Sequence, residues 1–187
     1  MNPREEAIEV AGSAVCLHDL DSITATIARM GREISGVLAD SHPLVLTVLN
    51  GGIPFAGALL LQLPFPLELD SLKVGRYQGA TAGSTLKWHA GPQLSVRGRT
   101  ILLVDDILDE GITLLEVHRY LLEQGAAQVY SAVLVEKNLG RQKPYQADFV
   151  GLVTDNVYLF GFGLDYKGQL RNWPGLYACL PLKEDQP

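Results

Sequence analysis

An α/β fold built on a central, mainly parallel sheet flanked by helices is what this sequence predicts. Short β-branched apolar runs alternate with amphipathic helical stretches. The clearest run, Thr100-Ile-Leu-Leu-Val104, leads at once into a turn and a helix. Strands this uniformly apolar are covered on both faces, as in parallel sheets. A length of 187 residues suits one domain with a full core.

Taken in order, Ile23, Ile27, Met30, Ile34, Val37 and Leu38 recur at steps of three and four. They predict a helix over 21–40, with Asp21 or Ser22 capping its start. Leu44–Leu49 is a buried strand and Asn50-Gly51-Gly52 a turn. A helix over 53–63 follows, with Pro54 in its first turn, where a missing N–H costs little. A strand over 67–74 leads into a small, polar stretch, 75–84, expected to be a mobile loop, with a strand-like return near Leu86-Lys87-Trp88. Beyond Val104 the expectations are a helix from about 112 to 124, a strand over 128–135, and shorter strands near 149–153 and 157–160.

Composition excludes several classes. The net charge of −6 argues against a nucleic-acid or anionic-membrane binder, which would carry a basic patch. Cys16 and Cys179 have no metal-type spacing and read as two inert, buried thiols. The four histidines show no metal spacing either. A polar N-terminus and no long apolar run make a cytoplasmic protein the expectation.

Ligands of parallel α/β sheets gather at the carboxyl ends of the strands. There the sequence places Asp105-Asp106-Ile107-Leu108-Asp109-Glu110-Gly111-Ile112-Thr113, just before a helix. The exposed amides at a helix start hold phosphate, and Thr113 adds a hydroxyl. No lysine follows the glycine, so this is not a Walker loop. Two carboxylates beside a phosphate site make sense if the ligand also carries a diol or a metal. A receiver domain shares the acidic pair but needs an aspartate ending a later strand, whereas Asp148 begins one.

The run Leu102–Thr113 resembles the phosphoribosyl pyrophosphate (PRPP) signature of the type I phosphoribosyltransferases. The resemblance implies that Asp105 and Asp106 face the ribose hydroxyls and that Asp109, Glu110, Gly111, Ile112 and Thr113 wrap the 5′-phosphate. It implies Asp109 as the catalytic acid/base. Downstream, Val135-Glu-Lys137, Ala147-Asp-Phe-Val-Gly151, Tyr158-Leu-Phe-Gly-Phe-Gly-Leu-Asp165-Tyr166 and Arg171-Asn172 are similar in order and spacing to the hypoxanthine-guanine branch. By that resemblance Lys137 bonds a 6-oxo group, Tyr158 stacks on the purine, and main chain near Tyr158 and Leu159 reads the 2-position. Asp165 lies near a magnesium ion, with Asp105 and Asp106 as further metal contacts, and Arg171 reaches pyrophosphate. A lysine has donors only, so it suits a 6-oxo acceptor and meets another donor on adenine. Such polar sites discriminate by ~10⁴.

Upstream, Asn50 and Gly51 match the turn that cradles pyrophosphate, which in the family often holds a non-proline cis peptide. Arg76 and Tyr77 open the loop that folds over the site. Asn50, Arg76, Glu110 and Ile112 depart from the residues usual in the family. The expected substrates are PRPP and a 6-oxopurine base, with Mg²⁺ as cofactor. No nucleic-acid or membrane partner is expected, and family analogy suggests a homo-oligomer, dimer or tetramer. The layout expected is one domain over 1–187, with a core at about 40–140 and a small hood from the N-terminal segment and about 145–187. Two other readings stay open: a PRPP-sensing regulator of the same fold, and a xanthine-preferring transferase.

Overall fold

The computed structural model describes residues 2–76 and 86–179. In chain order the elements are α1 (Pro3–Ser13), β1 (Val15–His18), α2 (Leu20–Leu38), β2 (Leu44–Leu49), α3 (Gly52–Leu60), β3 (Glu68–Arg76), β4 (Leu86–Ala90), β5 (Thr100–Leu108), α4 (Ile112–Glu123), β6 (Gln128–Asn138), β7 (Phe149–Asp155), β8 (Leu159–Phe160) and β9 (Leu176–Ala178).

Six strands form one sheet in the order β4-β3-β2-β5-β6-β7. Its pairings are parallel except for β4, which runs antiparallel to β3 at the edge. One face carries Val45, Leu102, Val104 and Leu134 against the stripe of α2 (Ile23, Ile27, Met30, Ile34) and Phe55 and Leu59 of α3. The other carries Leu44, Leu46, Ile101, Leu103 and Val133 against Leu114, Val117 and Leu121 of α4. Burial on both faces is why these strands read as unbroken apolar runs. Burying each large aliphatic side chain contributes roughly 1.5–3 kcal/mol.

Parallel pairing has a positional consequence. The carboxyl ends of β2, β5 and β6 emerge at the same edge of the sheet, so Asn50, Asp109 and Lys137 come out side by side. A second sheet, β1-β9-β8, is antiparallel and has three strands. Packed with it is α1, whose Ala7 and Val10 share a cluster with Phe160 and Leu170. Asn2 and Glu5 cap that helix reciprocally, a capping box.

Several expectations need correction. The cap of α2 is Asp19, which accepts from the Ser22 amide at 2.9 Å, rather than Asp21 or Ser22. The helix expected over 53–63 stops at Leu60. Helix α1 and strands β1 and β9 were not predicted: the helix is only weakly amphipathic, and the strands are short. Cys16 is exposed, on a strand whose residues 15–17 are all exposed, and Cys179 is partly so; they are not two buried thiols. Arg76 ends β3. The stretch behind the expected loop, Tyr77 included, lies outside the described residues. Among the described residues no helix is long and apolar enough to cross a membrane.

Candidate active site

Strand β5 does not end at Val104. Its ladder with β6 runs on through Asp105↔Val133, Ile107↔Val135 and Leu108↔Glu136. Both aspartates therefore lie inside the strand, each only 8% exposed. Aspartate disfavours strands, which is why the sequence suggested an earlier end. Lys137 likewise lies within β6, pairing with Thr154 of β7, rather than beyond the strand.

The Asp106 amide donates to Asp105 Oδ1 at 2.9 Å. Burial pushes the Asp105 carboxyl well above the usual aspartate range, and the neighbouring Asp106 adds to the push. Burial raises Asp106 as well, while its hydrogen bond with Asp105 and the Arg171 guanidinium pull the other way. Arg171 Nη1 is 3.9 Å from Asp106 Oδ2, and Nη2 is 2.6 Å from Asp165 Oδ1. The same guanidinium donates to the Gly163 carbonyl at 2.6 Å. Arg171 thus ties the loop before β9 to the acidic pair.

Past Leu108 the chain turns through Gly111, whose φ of +82° is open to glycine at little cost, and enters α4. Asp105, Asp109, Glu110, Gly111, Thr113 and Leu114 line a cavity of about 230 Å³ here. Ile112 does not line it; it is the first residue of α4. Next to it, Asp106, Asp109, Lys137, Tyr158, Leu159 and Asp165 line a second cavity of about 220 Å³. Ile107 and Asp109 belong to both. Lys137 Nζ stands 3.8 Å from Asp109 Oδ2 across the second.

Tyr158 is half exposed and meets Tyr166 edge-on, with centroids 5.6 Å apart. The Tyr158 carbonyl already accepts from the Cys179 amide at 2.8 Å, and buried Leu159 pairs with Ala178. That backbone is partly spoken for by the hood sheet. Asp165 accepts from the Gly168 amide at 2.7 Å as well as from Arg171.

The peptide bond between Leu49 and Asn50 is cis. Asn50 is exposed, whereas Gly51 is packed so closely on the acidic pair that a Cβ there would collide with the Asp106 carboxylate. Gly163 rests on the Gly51 carbonyl in the same way. The contributors not singled out from the sequence include Ile107, which lines both cavities, Leu108 and Leu114 in the first, Leu164 in the second, and Gly163, which sets the loop against Gly51. Gly163 combines a φ of +109° with this close approach, and both require glycine.

The fold thus sets an acidic pair inside a parallel strand, a cavity at the start of α4 and a second cavity lined by a lysine and a tyrosine side by side at one edge of the sheet. Residues 16–167 match the family model described as "Phosphoribosyl transferase domain". The chain belongs to that phosphoribosyltransferase family. It is 33% identical over 155 residues to a hypoxanthine-guanine phosphoribosyltransferase of Streptococcus pneumoniae (strain ATCC BAA-255 / R6), covering 82% of this chain and 86% of that one. Identity to the Bacillus subtilis (strain 168) protein of the same name is 34% over 165 residues, covering 86% and 90%. Among solved structures, a hypoxanthine-guanine-xanthine phosphoribosyltransferase matches with a TM-score of 0.80 at 27% identity, over 88% of this chain and 96% of that one. A hypoxanthine phosphoribosyltransferase from Staphylococcus aureus shares the fold at a TM-score of 0.84 and 21% identity, over 89% and 91%.

Proposed function

We propose that this chain transfers the 5-phosphoribosyl group of PRPP to N9 of hypoxanthine or guanine, releasing pyrophosphate. The observation that carries this reading is Asp109, which lines both the cup at the start of α4 and the cavity of Lys137 and Tyr158. A group shared by both cavities touches both reactants.

In this reading the 5′-phosphate sits on the amides around Glu110–Thr113, where the helix dipole favours an anion. Asp105 and Asp106 accept from the ribose hydroxyls. Lys137 donates to the 6-oxo group, and Tyr158 covers the purine face. The backbone around Gly51, with Arg171, holds the pyrophosphate. Asp109 takes the purine N7 proton as N9 attacks C1′, and its charge favours the cationic ribose that forms.

The residues present fit Mg²⁺. Asp105 and Asp106 offer hard oxygen donors on the cavity walls, and no group of three His, Cys, Asp or Glu forms a protein cage among the described residues. An ion held by one or two carboxylates together with substrate oxygens is the usual habit of magnesium. Asp165 on one side, or Asp105 and Asp106 on the other, would hold it together with substrate oxygens, and when bound it would neutralise the departing pyrophosphate.

The reading extends to a homo-oligomer, which light scattering tests, and to a cytoplasmic location, which cell fractionation tests. The central experiment supplies purified protein with PRPP, Mg²⁺ and, in turn, hypoxanthine, guanine, xanthine and adenine. Nucleotide formation from hypoxanthine or guanine, and none from adenine, is expected. Turnover of xanthine alone would assign a different base preference. PRPP binding without turnover of any base would make the chain a sensor.

A further inference from the structure

We propose that Lys143 is a positioning residue for phosphoribosyl transfer: its buried ammonium clamps the fork where β5 and β6 part. The proposal rests on the transfer reading above.

The β5–β6 ladder ends at the rung Leu108↔Glu136. Beyond it the strands diverge in purpose. Asp109 follows Leu108 into the phosphate cup, and Lys137 follows Glu136 along the base cavity. Both flanks of that rung are held by one side chain from the loop before β7. Lys143 Nζ donates to the Leu108 carbonyl at 3.0 Å and to Glu136 Oε1 at 3.2 Å. Its side chain is only 7% exposed.

An ammonium taken out of water costs several kcal/mol unless its donors are met. Here the partners are a carboxylate and a main-chain oxygen belonging to the two residues that precede Asp109 and Lys137. Lys143 itself lines neither reactant cavity, so it acts through its neighbours. What it sets is the relative placement of the two half-sites. Each half-site stays chemically intact without it.

That division fixes the kinetic signature. Loosening the fork leaves each substrate its own contacts, so KM values move little. The attack geometry between N9 and C1′ degrades, and misplacement of about 1 Å costs on the order of 10²-fold in rate.

The test measures kcat, both KM values and thermal midpoint for the full-length wild type, Lys143→Met, Lys143→Arg, Glu136→Gln and the double variant Lys143→Met/Glu136→Gln. The expected result is a fall in kcat of about 10-fold or more for Lys143→Met, with each KM within about 3-fold of wild type. Lys143→Arg, which keeps the cation, recovers part of the turnover. Glu136→Gln shows a smaller loss, and the double variant is no worse than Lys143→Met, because both act on one clamp. Should Lys143→Met fail to fold, the kcat-against-KM split of Glu136→Gln decides alone. A lower thermal midpoint with unchanged kcat below it would reduce Lys143 to a structural role and overturn the proposal. Additive effects of the two substitutions would overturn it too. Inactive wild-type protein would instead sink the transfer reading, which separates the two failures.

Discussion

The Lys137 ammonium faces the Asp109 carboxylate at 3.8 Å, each carried by a different strand end. Lys137 is largely buried, at 14% side-chain exposure, while Asp109 is 44% exposed and open to both cavities. In the proposed reaction the two would take separate tasks, Lys137 fixing the base and Asp109 exchanging a proton.

Replacing Asp109 by asparagine keeps the shape and removes the proton acceptor. The expected outcome is a kcat lower by about 10²-fold or more, with PRPP affinity nearly unchanged. Steady-state kinetics paired with calorimetric titration of PRPP checks it, and undiminished turnover removes Asp109 from the mechanism.

Lys137→Met keeps length and apolar stem but loses the donor. A hydrogen bond from a charged group contributes about 1.5–3 kcal/mol, so kcat/KM for the 6-oxopurine should fall roughly 10- to 100-fold. PRPP binding alone, measured without base, should hold. An equal loss of PRPP affinity would mean that Lys137 serves the sugar phosphate instead.

Asp105 and Asp106 impose a cost on the ligand-free fold. Burial raises the Asp105 pKa, so the folded state holds that proton more tightly than the unfolded chain. The resulting stability is complete below the unfolded pKa and is lost as pH rises through the folded one. At neutral pH, Asp105→Asn should therefore stabilise the ligand-free protein by about 1–2 kcal/mol while abolishing tight PRPP binding. Thermal melts at pH 5 and pH 8 check the sign: the gain should be larger at the higher pH.

Glu6 binds α1 to the loop after Asp165. Its carboxylate accepts from the Tyr166 hydroxyl at 2.7 Å and pairs with Lys167. The hydrogen bond with Lys167, then that with Tyr166, lowers the Glu6 pKa. Stability from a lowered carboxylate pKa is present above its unfolded value and lost as pH falls through the folded one. Acidification below the ordinary glutamate range should loosen α1 and change the fluorescence of Trp173, which packs in the same cluster. Glu6→Gln should remove that acid transition; its persistence would place the titrating group elsewhere.

Much of the fold was legible because burial on two faces leaves a plain signature. Leu44–Leu49 is the strand that its apolar run suggests, and the stripe of α2 faces the core as its spacing requires except at Val37, which lies off the buried face and is exposed. Ends were harder. Asp105 and Asp106 looked like the end of a strand because acids rarely sit inside one, yet the neighbouring β6 carries the ladder past them. The hood strands β1 and β9 have too few residues to show a period, and their pairing spans nearly the whole sequence. Asp109, Lys137, Tyr158 and Asp165 could be singled out by motif, and they line one cavity. Lys143 could not, because nothing local distinguishes a clamp from a solvated lysine; only the folded loop brings it to Leu108 and Glu136.

The hood joins β1 to β9, and so couples residues 15–18 to residues 176–178. On a translating ribosome the six-stranded sheet has all its strands once Asp155 has emerged, but the three-stranded sheet must wait for Ala178. A nascent chain passes through a stage in which the six-stranded sheet has its parts and the smaller sheet does not. The two sheets thus become complete one after the other during synthesis, the larger before the smaller.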